Sequence, residues 1–243
     1  SVASRGLGDV YKRQVLSGTS NMLVDALSLE GSQDWELSNG SVITVNSIIG
    51  TGTLNMVLDE TSQVDIYTMT SSGDELSTIV YNGGSVKIGQ TDGSVEVSDG
   101  TLSVFSELDY MSIEETLTLG EESVLSIELG VTVSIGELIV EGGSLELIYT
   151  DTETTDSDSL ILGLTYDLSY MTVVEDTDGD VVMITFDVLD VGRIEGEFDE
   201  VNVTGEISGF EWSVSDIETT GQISAVNVDC LLYTSDAADD MQC

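Results

Sequence analysis

The sequence predicts an all-β chain: a parallel β-solenoid of the β-helix kind, with an antiparallel β-sandwich or meander as the alternative. Three observations carry this. Aliphatic residues alternate with Ser, Thr, Glu or Gly along most of the chain, the period of a half-buried strand. A short motif recurs, in which glycine precedes Ser or Thr, an aliphatic, any residue and a second aliphatic. Proline is absent from all 243 residues, where average usage of about 5% would give roughly twelve. Proline removes a ladder donor, so its absence fits strand following strand with small turns.

Along the chain, Trp35–Leu37 and Val42–Val45 alternate on either side of Asn39-Gly40. Ile79–Tyr81 and Val86–Ile88 do the same around Asn82-Gly83-Gly84. Asn-Gly is a strong hairpin signal, so both pairs are expected to be antiparallel hairpins. The glycine-led motif is clean at Gly52–Met56, Gly84–Ile88, Gly93–Val97, Gly100–Val104 and Gly143–Leu147. Each copy reads as a glycine turn feeding a short strand. Spacing between copies is uneven, which suits solenoid coils or a strand-rich sandwich. Glu107–Glu115 is the best helix candidate. The clearest alternation runs through Leu125, Ile127, Leu129, Val131, Val133 and Ile135. Residues 15–149 therefore form the expected solenoid-like repeat region. Thr150–Ser159 is almost wholly Asp, Glu, Ser and Thr and reads as a loop or boundary. Residues 150–229 are expected to be a β-rich continuation. In it, Met171–Val174 and Val181–Phe186 form a third hairpin around Asp178-Gly179. Val201–Val203 and Phe210–Val214 alternate again.

Both ends read differently from the rest. Ser4–Gln14 resembles the translation of a transposase adapter arm joined to its mosaic end, and Cys230–Asp240 resembles the opposite adapter orientation. Residues 1–14 and 230–243 are therefore expected to be adapter-derived and non-native. The natural chain is then expected to run on past both junctions as part of a longer protein. Setting the ends aside removes both cysteines, Cys230 and Cys243, and with them any disulfide argument. Arg5, Lys12 and Arg13 also go, leaving Lys87 and Arg193 as the natural cations.

Charge narrows the function classes. The chain carries 46 Asp and Glu against 5 Lys and Arg, a formal net charge of −41. Nucleic acid is disfavoured as a partner, because binding phosphate needs cations. No apolar window reaches the roughly 18 residues of a membrane helix. With no histidine, neither a Ser-His-Asp triad nor a histidine metal site can form. No catalytic residue and no certain cofactor is assigned. Glu175-Asp176-Thr177-Asp178-Gly179-Asp180 sets alternating carboxylates beside a glycine. Asp176, Asp178 and Asp180 are the candidate calcium ligands, since hard cations take oxygen donors. The spacing is not that of an EF-hand loop, and solvated acids at a hairpin turn are the simpler reading. Trp35 and Trp212 sit in alternating strands and are expected to pack rather than stack on sugars. Asn39-Gly40-Ser41 and Asn202-Val203-Thr204 match the glycosylation acceptor pattern and are read as chance.

The glycine-led punctuation, rich in Ser, Thr and Asn over roughly Ser17–Leu147, resembles the passenger regions of autotransporters and related bacterial surface proteins. That resemblance implies a parallel β-helix, extracellular or surface display, and adhesion or an enzyme-bearing stalk. It transfers no functional residue. The resulting expectation is a structural or adhesive segment of a long extracellular bacterial protein, without catalysis of its own, with a host-surface or glycan ligand as partner. The alternative is a carbohydrate-binding or carbohydrate-processing β module, which predicts Trp35, Trp212 or tyrosines exposed beside carboxylates.

Overall fold

The computed structural model describes residues 12–72, 76–104, 110–149, 171–175 and 181–228. Within them the chain is a parallel β-solenoid of about six turns. Its strands are β1 (Lys12–Ser17), β2 (Asn21–Val24), β3 (Leu27–Ser38), β4 (Val42–Leu58), β5 (Gln63–Ser71), β6 (Thr78–Thr91), β7 (Ser94–Ser103), β8 (Tyr110–Glu128), β9 (Thr132–Val140) and β10 (Ser144–Ile148). After β10 come β11 (Met171–Glu175), β12 (Val181–Asp187), β13 (Leu189–Val191), β14 (Ile194–Gly196), β15 (Glu200–Thr204), β16 (Phe210–Ser213), the short helix α1 (Ile217–Thr220) and β17 (Gln222–Asn227).

The register shows three faces. On the first, Trp35, Met56, Tyr81, Val97, Leu119 and Val140 stand one above another in successive coils. On the second, Ile43, Val64, Val86, Leu102, Leu125 and Leu145 form the matching file. The third carries Ile48, Met69, Thr91, Ile113 and Ile135. All of these residues are buried, so alternation along each strand becomes a continuous core along the axis. A parallel coil brings each residue over its counterpart 21 positions earlier in the first coils, as with Asn55 and Asp34. The step lengthens at Leu54↔Ile79 and shortens at Ile79↔Val95, which explains why the motif spacing is uneven in sequence.

Several local expectations change. Asn39-Gly40 does not close a hairpin, because β3 and β4 are parallel. Both residues have positive φ (59° and 73°) and turn the chain through a solenoid corner. Asn82-Gly83-Gly84 is likewise a corner inside β6, which pairs in parallel with β5 and β7. The Asn-Gly dipeptide supplies the left-handed backbone that either structure needs, so it cannot choose between them. Of the helix candidate Glu107–Glu115, residues 110–115 belong to β8, where Met111 and Ile113 point into the core. The long alternating run from Leu125 to Ile135 is two strands, with Leu129-Gly130 turning the corner between them.

The third hairpin is antiparallel as expected: Met171 pairs with Phe186 and Val174 with Met183. With β17 and β16 it completes a four-stranded antiparallel sheet in the order β11-β12-β17-β16. The solenoid does not stop at residue 149. It resumes at Leu189, where β13 and β14 pair with β9 and β15 pairs with β10, all in parallel. The antiparallel sheet shares the solenoid's core through Ile184, Phe186, Ile223 and Ala225. At its opposite end β1 takes in Lys12, Arg13 and Gln14, residues of the adapter-like stretch, pairing Gln14 with Trp35.

Candidate functional site

The corner between the first and second faces is the most distinctive surface. Three later coils cross it at a glycine or a small polar residue that follows an acid: Asp99-Gly100, Glu121-Glu122-Ser123 and Glu141-Gly142-Gly143. Glycine is required there by close approach. A Cβ on Gly100 (φ +95°) would lie 2.7 Å from backbone atoms of Gly83 and Gly84 in the coil below. An open groove of about 370 Å³ runs along the corner, at the small end of ligand-sized clefts. Its rim carries Glu96, Asp99, Glu121, Glu122 and Glu141. Asp99 pairs directly with Glu122 in the next coil. Like charges so placed repel.

The corner's other hydrogen bonds are built from the same residue types. Ser41 Oγ lies 2.7 Å from both Gly18 O and Ser38 O, its single proton shared between them, and Ser123 Oγ donates to Gly120 O at 2.7 Å. These buried hydroxyls satisfy carbonyls that the turn would otherwise strand. Asp59 accepts from Ser62 Oγ at 2.7 Å, from Thr61 Oγ1 at 2.9 Å, from Thr61 N at 3.2 Å, and from the backbone N–H of Asn39 one coil away. Led by the Ser62 hydroxyl, these donors hold the carboxyl down at about 2, from an ordinary 3.8. Outside this corner, Asn55 Nδ2 donates to Asp34 Oδ1 at 2.8 Å and to Ser32 Oγ at 3.2 Å.

Two of the cations, Arg193 and Lys87, stand beside acids. Arg193 bonds Glu137 at 2.9 Å and Glu195 at 2.8 Å. Lys87 stands in register between Asp65 and Ser103. The candidate calcium ligands Asp176, Asp178 and Asp180 lie outside the described residues, as does the acidic stretch 151–158. Among the described residues no group of three or more acidic, His or Cys side chains is placed to hold a metal ion. No helix among them is long and apolar enough to cross a membrane.

Both tryptophans and Tyr81 pack, whereas Tyr110 is exposed. Trp35 is 1% exposed and Tyr81 fully buried. Trp212 is half-buried, tilted against Tyr149 and Phe186 with ring centroids 5.7 and 5.6 Å away, and its Nε1 donates to Gly205 O at 2.9 Å. Trp35 therefore offers no face for sugar stacking. The acidic corner was not singled out from sequence, because its residues come from coils whose spacing varies. The available signal was an acid immediately before the glycine or serine of the corner, at Asp99, Glu122 and Glu141.

These features define a class, a parallel β-solenoid with an acidic corner groove and an antiparallel sheet joined to its later coils. Comparison with protein-family models, with curated proteins and with solved structures gave no match.

Proposed function

We propose that this chain is a structural or adhesive segment of a long extracellular bacterial surface protein. The observation that carries the reading is the division of labour in the coil. Inward residues build one unbroken core, while outward residues form long polar files, such as Ser47, Thr68, Gln90, Ser112 and Ser134 on the third face. A surface of that kind suits contact with another macromolecule more than enclosure of a small substrate. The fold itself hosts many activities, so the argument rests on these faces and not on the solenoid alone. The acidic corner keeps nucleic acid away and favours a partner that is neutral or cationic at the point of contact. The reading assigns no catalytic group, and places the protein outside the cell or on its surface. Calcium is proposed only for Asp176, Asp178 and Asp180. A melt at fixed ionic strength, with calcium and with chelator, tests it; identical curves remove it.

The functional test is display of the full chain on a non-adherent bacterium, followed by binding to host cells and to a glycan array. Binding that is lost when the polar file of the third face is replaced by lysines supports the adhesive role. If the displayed chain binds nothing, the adhesive role is excluded and only the structural one is left.

A further inference from the structure

We propose that Asn39 is a site of spontaneous deamidation, a chemical change that the fold permits at Asn39 and restrains at Asn82. Both asparagines precede glycine, and both are exposed. In each, the glycine lacks the Cβ that hinders approach of its backbone nitrogen to the asparagine side chain. Their backbones differ. Asn39 and Gly40 lie between the end of β3 and the start of β4, outside any ladder. Among the described residues the Gly40 N–H donates to no acceptor. Asn82 itself lies inside β6, paired with Val57 of β4 on one side and with Asp99 of β7 on the other, although the β7 register shifts on both sides of it and Gly83 has no ladder partner.

The reaction needs the Gly40 nitrogen as nucleophile. Once deprotonated by base, it attacks Cγ of Asn39. The new N–Cγ bond forms as the bond from Cγ to the amide nitrogen breaks, and that nitrogen leaves as ammonia after taking up a proton. Water then opens the resulting succinimide at either carbonyl, leaving aspartate or isoaspartate. No oxidant or reductant takes part. At Asn39 the turn can supply the nucleophile without breaking a ladder bond. At Asn82 the restraint falls on the asparagine and not on the nucleophile: its backbone is held by β4 and β7, and turning its Cγ onto the Gly83 nitrogen requires those pairings to open locally, which lowers the reactive population.

The consequence falls on the corner. The Asn39 N–H is held by the Asp59 carboxylate of the next coil, and Ser41 Oγ lies 2.7 Å from Gly18 O and Ser38 O. Isoaspartate reroutes the main chain through an extra methylene and leaves a free α-carboxylate near Asp59. Both changes pull the corner apart.

The test is incubation of the full folded chain in warm, mildly alkaline buffer. Peptide mapping then follows conversion at both sites, and an isoaspartate assay follows the product. Conversion at Asn39 is expected about tenfold faster than at Asn82, the equivalent of about 1.4 kcal/mol of local opening. The N39Q variant is expected to lose most of the isoaspartate signal and N82Q little of it. In strong urea the two rates are expected to converge. Equal or faster conversion at Asn82 in the folded chain overturns the proposal. So does a contrast that persists unchanged in urea, since it would then come from local sequence and not from the fold.

Discussion

Arg193 Nη1 lies 2.9 Å from Glu137 Oε1 although the two residues are 56 positions apart. Between them in sequence stand β11 and β12 of the antiparallel sheet, and β14 then lies on β9 so that Ile194 sits over Leu138. The ion pair marks that pairing, but the backbone fixes it: Leu138 N donates to Arg193 O at 2.8 Å, and Gly192 N to Ile135 O at 3.1 Å. The Arg193 side chain is 65% exposed, and exposed pairs contribute about 0–1 kcal/mol. Arg193→Ala is therefore expected to lower unfolding stability by less than about 1 kcal/mol, with an unchanged denaturant slope. A loss above about 3 kcal/mol in urea titration would mean that the pair, and not the ladder, holds β14 on β9.

What the sequence made legible was the direction of each side chain. Leu125, Ile127, Val133 and Ile135 are all inward, as their alternation requires. The pairing partner was not legible, because a parallel coil places it about one coil away instead of across the nearest turn. Asn39-Gly40 and Asn82-Gly83-Gly84 therefore read as hairpins, while Met171 and Phe186 do pair across their turn. The acidic corner was hidden for the same reason. Asp99 and Glu122 become neighbours only once the register is known.

Gly100 and Gly209 separate close approach from backbone strain. Both have positive φ, +95° and +82°. A Cβ on Gly209 meets nothing within 4 Å, whereas one on Gly100 lies 2.7 Å from backbone of the preceding coil. Gly209→Ala is expected to cost about 1–2 kcal/mol, from left-handed strain alone. Gly100→Ala adds the overlap and is expected to cost more than about 3 kcal/mol. Thermal or urea unfolding of the two variants decides this. Equal losses would mean that the corner opens freely around the added methyl.

Trp212 ties the antiparallel sheet to the solenoid. It touches Phe186 of β12 and Tyr149 at the end of β10, and its Nε1–H bonds Gly205 O. Trp212→Ala is expected to cost about 3 kcal/mol. Trp212→Phe keeps a ring and loses the hydrogen bond, for about 1 kcal/mol. Hydrogen exchange should show β11, β12, β16 and β17 losing protection in Trp212→Ala while β4–β8 keep theirs. Uniform loss across both groups would make the sheet and solenoid a single cooperative unit.

Acid is expected to act in two opposite steps. Lowering pH from neutrality protonates carboxylates in a chain with 46 of them against 5 cations, which relieves self-repulsion and raises the melting temperature. Asp59 opposes this at lower pH. Its folded pKa, about 2, is below the ordinary 3.8. A depressed carboxyl stabilises the fold above the unfolded pKa, and that contribution fades as pH falls from 3.8 toward about 2. The melting temperature should therefore pass through a maximum on acidification. Asp59→Asn should be less stable at neutral pH and show a shallower fall on the acid side. A curve for Asp59→Asn parallel to the parent's through that window would remove Asp59 as the cause.

Tyr81 and Trp35 share one inward file with Met56 between them. Both are buried, and among the described residues neither Tyr81 Oη nor Trp35 Nε1 has a hydrogen-bond partner. Burial alone holds the Tyr81 phenol well above its ordinary range, so it is neutral at any pH the fold tolerates. A buried hydroxyl without a partner forfeits its hydration, at a cost of about 1–3 kcal/mol. Tyr81→Phe removes that oxygen and keeps the ring between Met56 and Val97. It is therefore expected to stabilise the chain by about 1 kcal/mol, read as a higher urea midpoint at constant slope. Trp35 offers no such exchange, because any smaller ring in its place leaves a cavity beside Met56. Trp35→Phe should thus destabilise where Tyr81→Phe stabilises, although both remove an unpartnered polar atom from the same file. A loss of stability in Tyr81→Phe would instead place a water on its hydroxyl inside the core.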